Sequence, residues 1–328
     1  MEFLRRRRDF IMLLGGAAAA WPFVADAAGK RPRIAVLTLL SPQDEGGRIR
    51  AFAAGLRELG YVAGQTIELD YRYAAGDTER LLPLASELMI LAPDVVFAGE
   101  ASPARAVKAI APNVPIVCPT LAEDVTDLFS SYARPGGSVT GMAGSVENLY
   151  GKWVELALDF VPQAMRIGLL VNPAGANRKL AIGQVEAAGR TRGVTTLVED
   201  ARSADELAPA FDRLSKANVQ VVIVPPNGMF IIQRSLIAQL ALAAGLPTIF
   251  QQPQDVAAGG FLSYGVDETE NSRRAASYVD KILKGAKPGD LPIEFPTTIR
   301  LVLNLKTAKA LGISISREML LRADEVFE

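Results

Sequence analysis

Residues 33–73 read RIAVLTLLSPQDEGGRIRAFAAGLRELGYVAGQTIELDYRY, and this stretch decides the fold class. Ile34 to Leu40 is a nearly continuous apolar run, the pattern of a strand buried on both faces of a sheet. From Gly46 to Leu59 the apolar residues Ile49, Phe52, Leu56 and Leu59 recur at helical spacing. Gly60 then closes that helix as a C-terminal cap, and Ile67 to Tyr73 reads as a second strand. Strand, helix, strand is a βαβ unit, and parallel neighbours need such a crossover.

Working outward, the same alternation continues. Further strands are predicted at Asp94 to Ala98, Pro115 to Cys118 and Val139 to Ala143, with a helix over Thr78 to Leu91 carrying Leu81, Leu84, Leu88 and Leu91. After the junction Arg134-Pro135-Gly136-Gly137 the pattern restarts. A helix from Glu147 to Phe160 leads to strands at Arg166 to Val171, Thr195 to Glu199, Val219 to Val224, Thr248 to Gln251 and Gly260 to Tyr264. Asn177 to Arg192, Ala204 to Ala217, Met229 to Ala243 and Glu268 to Leu283 are helical in period. No short-period repeat accompanies this, which excludes a solenoid or propeller. A chain of 328 residues usually divides into more than one core. The fold class is therefore α/β, with two doubly wound parallel-sheet lobes joined near residue 145.

Open α/β sheets bind ligands outside the carboxyl ends of their strands, so the loops after the strands name the candidate site. In the first lobe these are Ser41 and Pro42, then Gly99, Glu100, Ala101 and Ser102, then Thr120 and Glu123. In the second they are Asn172, Asn177, Asn227, Phe230, Gln251, Gln252 and Tyr264. Hydroxyl, amide and aromatic groups dominate the set. Ser102, just before Pro103, is placed to cap a helix that also offers N–H groups to a carboxylate; capping alone is the simpler reading. Turn formation equally accounts for Asn172 to Asn177, and core packing for the aromatic rings. Phe230 and Tyr264 are the aromatics expected to cover a ligand. Of the carboxylates, one is expected to neutralise a ligand ammonium, the alternatives being solvated surface charge or acid–base work.

The missing residue types exclude much chemistry. There is no histidine, which removes the commonest general base and zinc ligand, and no metal site or catalytic residue is assigned. Gly29-Lys30 and Gly151-Lys152 are followed by Arg31 and Trp153, so no phosphate-cradling G-x-x-x-x-G-K-[ST] occurs, and no G-x-G-x-x-G opens a helix. No cofactor is expected. With 35 basic and 36 acidic residues and no basic stripe, nucleic acid is not an expected partner.

At the N-terminus, Arg5 to Arg8 precede Asp9-Phe10-Ile11 and an apolar run to Ala20, and Ala25-Asp26-Ala27 offers a small-x-small cleavage pattern. Residues 1–27 read as a signal peptide, twin-arginine-like in the order Arg-Arg-Asp-Phe-Ile. The apolar run is too short for a membrane span. The only cysteine, Cys118, lies in an apolar strand, so no disulfide forms within the chain and none is placed to carry a lipid. The expectation is an exported, monomeric protein in the periplasm with no lipid anchor.

Gly60-Tyr61-Val62-Ala63-Gly64-Gln65-Thr66-Ile67-Glu68, Asp70-Tyr71-Arg72-Tyr73-Ala74-Ala75-Gly76 and Arg134-Pro135-Gly136-Gly137-Ser138-Val139-Thr140-Gly141 resemble the ABC transporter substrate-binding proteins of the tryptophan-binding-protein-like group. So do Leu170-Val171-Asn172-Pro173 and the tail from Asn304 to Gly312 with Arg322 to Val326. The resemblance covers essentially the whole mature chain. It implies a periplasmic binding protein type I fold, with three crossings between lobes that close on a hinge. By that similarity lobe one is 30–145 plus 267–292 and lobe two 146–266 plus 293–328, with Thr297 to Leu303 a strand of lobe two. One departure is Ala122-Glu123-Asp124-Val125, where members carry Gly-Asp-Pro-Val.

The function expected is the solute-binding component of an ABC importer, holding a small amino-acid-like or aromatic carboxylate compound and docking to an inner-membrane permease. The alternatives are a ligand-presenting subunit for a membrane sensor kinase, and an exported lyase or hydrolase using Glu100 or Glu123.

Overall fold

In the computed structural model, residues 30–45, 47–121, 127–144, 146–175 and 177–328 are described. The signal-peptide reading and the site candidate Glu123 lie outside them. Two sheets organise residues 32–328, which form one compact unit.

The first sheet has strands β1 (Arg33–Thr38), β2 (Glu68–Tyr73), β3 (Val95–Ala98), β4 (Ile116–Leu121) and β5 (Val139–Ala143) in the order β2-β1-β3-β4-β5, all parallel. Helices α1 (Arg48–Glu58), α2 (Leu81–Ile90) and α3 (Ala101–Ile110) connect them. Alternation along β1 explains the two cores: Ile34 and Val36 pack toward Phe52 and Leu56 of α1, while Ala35 and Leu37 pack toward Leu88 of α2 and Val107 of α3. Both faces are covered, which is why the run reads as continuously apolar.

The second half contains helices α4 (Leu149–Phe160), α5 (Arg178–Arg192), α6 (Ala204–Lys216), α7 (Gly228–Ile232), α8 (Arg234–Ala243) and α9 (Pro253–Ala257). Its sheet is built from β6 (Arg166–Val171), β7 (Thr195–Asp200), β8 (Val221–Ile223), β9 (Thr248–Phe250), β10 (Leu262–Val266), β11 (Ile299–Asn304) and β12 (Glu325–Phe327), ordered β12-β11-β10-β9-β8-β6-β7. Helix α10 (Glu268–Leu283) leaves this sheet and packs on the first core through Ala275, Tyr278 and Val279. Helices α11 (Leu305–Ala310) and α12 (Arg317–Arg322) close the chain.

Three details depart from the sequence reading. Strand β11 runs antiparallel to β10, because the chain reaches it from the first sheet and not through a crossover helix. Ile293 and Glu294 still bond to the first sheet, through Tyr132 O at 2.7 Å and Gly141 O at 3.1 Å, so the chain passes to the second sheet over residues 295–298. The helix predicted over Met229 to Ala243 is two helices broken at Gln233.

The packing is tight where the chain changes sheets. Trp153 is fully buried, and its indole N–H donates to Tyr264 O at 2.7 Å, as a buried indole requires. Buried Asn271 of α10 donates to Pro119 O and Ala143 O, each at 3.1 Å, tying that helix to the ends of β4 and β5.

Candidate functional site

In both sheets the order reverses at one place, between β1 and β3 and between β6 and β8. Such switch points open a crevice at the carboxyl ends of the strands. Here the two crevices face each other across a cavity of about 640 Å³. From the first lobe it is lined by Leu39 and Leu40 after β1, Glu100, Ala101 and Ser102 after β3, and Thr120 near the end of β4. The second contributes Tyr150, Asn172 and Asn177, then Pro226, Asn227 and Gly228, and Gln251 after β9.

The lobes touch around this cavity. A β-carbon on Gly76 would lie 2.2 Å from Ile232 Cδ1, and one on Gly228 2.9 Å from Leu39 Cδ2. Arg234 of α8 reaches Asp44 of the first lobe, with Nη1 3.4 Å from Oδ1 and Nη2 3.3 Å from the backbone O. These contacts describe a closed clamp.

A buried charge cluster forms one wall. Arg48, 9 % exposed, donates from Nη2 to Glu100 Oε1 at 3.0 Å, from Nη1 to Glu268 Oε2 at 2.9 Å and from Nε to Glu45 O at 2.8 Å. Glu100 also accepts from Thr38 Oγ1 and from the Leu39 N–H at 2.9 Å. Glu268 Oε1 accepts from Gln251 Nε2 at 3.2 Å. Burial pulls the Arg48 guanidinium down, but Glu268, Glu100 and Glu45 outweigh it and hold it above its ordinary value. Burial pushes the Glu268 carboxyl up against the pull of Arg48, with Glu100 adding to the rise. One arginine thus faces three carboxylates, Glu100 and Glu268 on the cavity and Glu45 on a neighbouring void.

The opposite wall is amide-rich and carries one charge, Arg202. Asn177 Nδ2 donates to Tyr150 OH at 3.1 Å and Pro226 O at 2.9 Å. Asn227 Oδ1 accepts from the Met229 N–H at 3.0 Å and caps α7. Asn172 Oδ1 accepts from the Ala174 N–H at 2.9 Å. Asn172 Nδ2 also reaches Asn227 Oδ1 at 3.5 Å, so the amides are held to one another as well as to the backbone. At the end of α3 the cap position is Glu100 and not Ser102; its carboxylate turns away to Arg48 and makes no capping bond. Ala101 and Ser102 in the first turn of α3 line the cavity, and a helix N-terminus there favours an anion.

Of the residues predicted from sequence, Glu100, Ala101, Ser102, Thr120, Asn172, Asn177, Asn227 and Gln251 come together on the cavity. Four do not. β1 ends at Thr38, two residues earlier than predicted, so Leu39 and Leu40 take the wall while Ser41 bonds Asp44 at 2.6 Å and Pro42 is exposed. Phe230 is 3 % exposed in the core of the second lobe, beneath α7. Tyr264 packs beside the core that holds Trp153, because β10 runs on to Val266 and Tyr264 is not at its end. Sequence reasoning missed Arg48, Glu268 and Tyr150. Two of these carried a signal: Arg48 shares the apolar stripe of Phe52 and Leu56, and Glu268 that of Ala275 and Val279, where a charge demands a partner.

Among the described residues no group of histidine, cysteine or carboxylate side chains is placed to hold a metal. Burial pushes the Cys118 thiol up to about 12, far from nucleophilic use. No described helix is long and apolar enough to cross a membrane.

Comparison with known proteins agrees with this geometry. Residues 33–327 match the family described as ABC transporter substrate binding protein. A tyrosine-binding protein of Clostridioides difficile (strain R20291) is 22% identical over 265 residues, 80% of this chain and 76% of that protein. A conserved domain protein of Vibrio cholerae superposes with a TM-score of 0.85 at 24% identity, covering 90% of this chain and all of that one. An ABC domain from Streptococcus pneumoniae, solved in complex with L-Trp, superposes with a TM-score of 0.84 at 23% identity, covering 91% and 100%. The chain belongs to the ABC transporter substrate binding protein family.

Proposed function

We propose that this protein is the exported solute-binding component of an ABC importer, that it closes on an amino-acid-like molecule, and that it presents this molecule to an inner-membrane permease without altering it. The observation that carries the reading is the cavity of about 640 Å³ between two switch points. Its size falls within the roughly 300–1,000 Å³ typical of small-molecule pockets. Both lobes line it, so a bound molecule stabilises the closed form over the open one.

The walls support an amino-acid-like ligand. The N-terminus of α3 with Ser102 and Thr120 suits a carboxylate, and the carboxylates of Glu100 and Glu268 suit an ammonium. Tyr150, Leu180, Met229 and Ile231 leave room for an apolar or aromatic side chain. Relatives known as tyrosine-binding or solved with L-Trp agree with that class.

Calorimetric titration of the purified chain with L-tyrosine and L-tryptophan, and with their analogues lacking the amino or the carboxyl group, tests this directly. Zwitterions are expected to bind and each truncated analogue to bind about tenfold or more weakly, the effect of leaving a charged partner unmet. Equal binding of the analogues, or none of the amino acids, would remove the assignment.

A further inference from the structure

Beside the main cavity, toward the hinge, lies a second void of about 20 Å³. Asp44, Glu45 and Arg48 line one side, Arg234 and Asp255 the other, and Glu268 the hinge end, so four carboxylates meet two guanidinium groups. Arg48 is committed to Glu100 and Glu268. Only Arg234 is left to serve Asp44 across the gap and Asp255 within its own lobe.

It does not serve both equally. Arg234 bonds Asp44, whereas its Nε stands 3.6 Å from Asp255 Oδ1, beyond hydrogen-bond reach, and that buried Nε has no hydrogen-bond partner. Asp255 is 7 % exposed. The buried Asp255 carboxylate therefore shares its neighbouring cation with the other lobe, through an ion pair that lacks a well-formed hydrogen bond.

We infer that Arg234 is a positioning residue that latches the closed clamp through Asp44, and that the lobes close with uptake of a proton by Asp255. This rests on the reading of the cleft as a clamp. Burial pushes the Asp255 carboxyl up to about 7; Arg234 pulls it down and Glu268 pushes it further up. The groups facing it are Arg234 from α8, Asp44, Glu45 and Arg48 from the segment leading into α1, and Glu268 from α10. Behind α9, Asp267 and Arg300, the latter paired with Glu325, line a neighbouring hollow. When the lobes part, water reaches Asp255 and its affinity for a proton falls toward the ordinary aspartate value. The closed form thus binds the proton more tightly. Its advantage is complete below the open-form pKa and is lost as the pH rises through about 7. External acidity tightens the grip.

The test measures lobe separation directly. Spin labels on Glu79→Cys and Ser203→Cys, exposed positions flanking Thr78 and Arg202 at the cavity, report the distance in the otherwise intact chain with no ligand present. A wrong solute assignment leaves this readout untouched. Buried Cys118 does not compete for label. The ratio of short to long distances is expected to rise about tenfold from pH 8 to pH 6, the change that one proton taken up with a closed-form pKa of about 7 produces. Asp255→Asn is expected to make it pH-independent, and Asp44→Asn to lower it at pH 6 while Asp255 remains. A ratio unchanged with pH in the native sequence, or pH dependence persisting in Asp255→Asn, would overturn the proton linkage. An unchanged ratio in Asp44→Asn would overturn the latch, even if Asp255→Asn failed to fold.

Discussion

Arg48 holds the binding wall together. It offsets Glu100 and Glu268 at a position where neither carboxylate can reach bulk water freely, with side-chain exposures of 23% and 14%. Arg48→Met keeps the length of the side chain but strands both carboxylates. Removing one partner of a buried ion pair costs about 3–5 kcal/mol, and a loss of that order is expected in urea unfolding at neutral pH. A loss below about 1 kcal/mol, the range of exposed pairs, would show that water already screens the cluster. At this scale the sequence was informative wherever a polar residue followed a strand, as at Glu100, Ser102 and Asn227. For Arg48 it carried only a periodic signal, the helical stripe shared with Phe52 and Leu56, which does not say what the guanidinium meets. Tyr264 and Phe230 were misplaced for the converse reason: the exact end of a strand, or the side of a short helix, is fixed by packing.

At the scale of elements, the segment from Gly228 to Arg234 does most to close the clamp. Gly228 meets Leu39, Ile232 meets Gly76, and Arg234 meets Asp44. Gly228 has no left-handed backbone and opens α7, so an alanine there suits its own helix and collides only with the other lobe. Gly228→Ala is expected to weaken solute binding several-fold while leaving the unfolding midpoint of the solute-free chain unchanged, measured by titration and thermal melts. Unchanged affinity would mean that the rims do not meet in solution. The βαβ units were legible because parallel strands buried on both faces leave apolar runs that flanking helices separate. The break at Gln233 carries no proline or glycine and left no such mark. Neither did the five-residue α9, too short to show a period.

At the scale of the molecule, two sheets with equivalent reversals of strand order bring their switch points face to face, and the chain passes between them three times. On the proposed reading, these few short crossing segments act as a hinge that lets the lobes part when the cavity is empty. That relation was expected from the restart of the pattern after Gly137 and from the family resemblance, while the antiparallel β10–β11 pair could not be read from periodicity, which carries no strand direction. The central claim is that the cleft grips a solute by closing. Small-angle scattering of the chain, stripped of solute by unfolding and refolding and then resupplied with the molecule that co-purifies with it, tests this most directly. The radius of gyration is expected to rise on stripping and fall again on resupply; an identical radius in both states, with the solute demonstrably bound, would contradict the clamp.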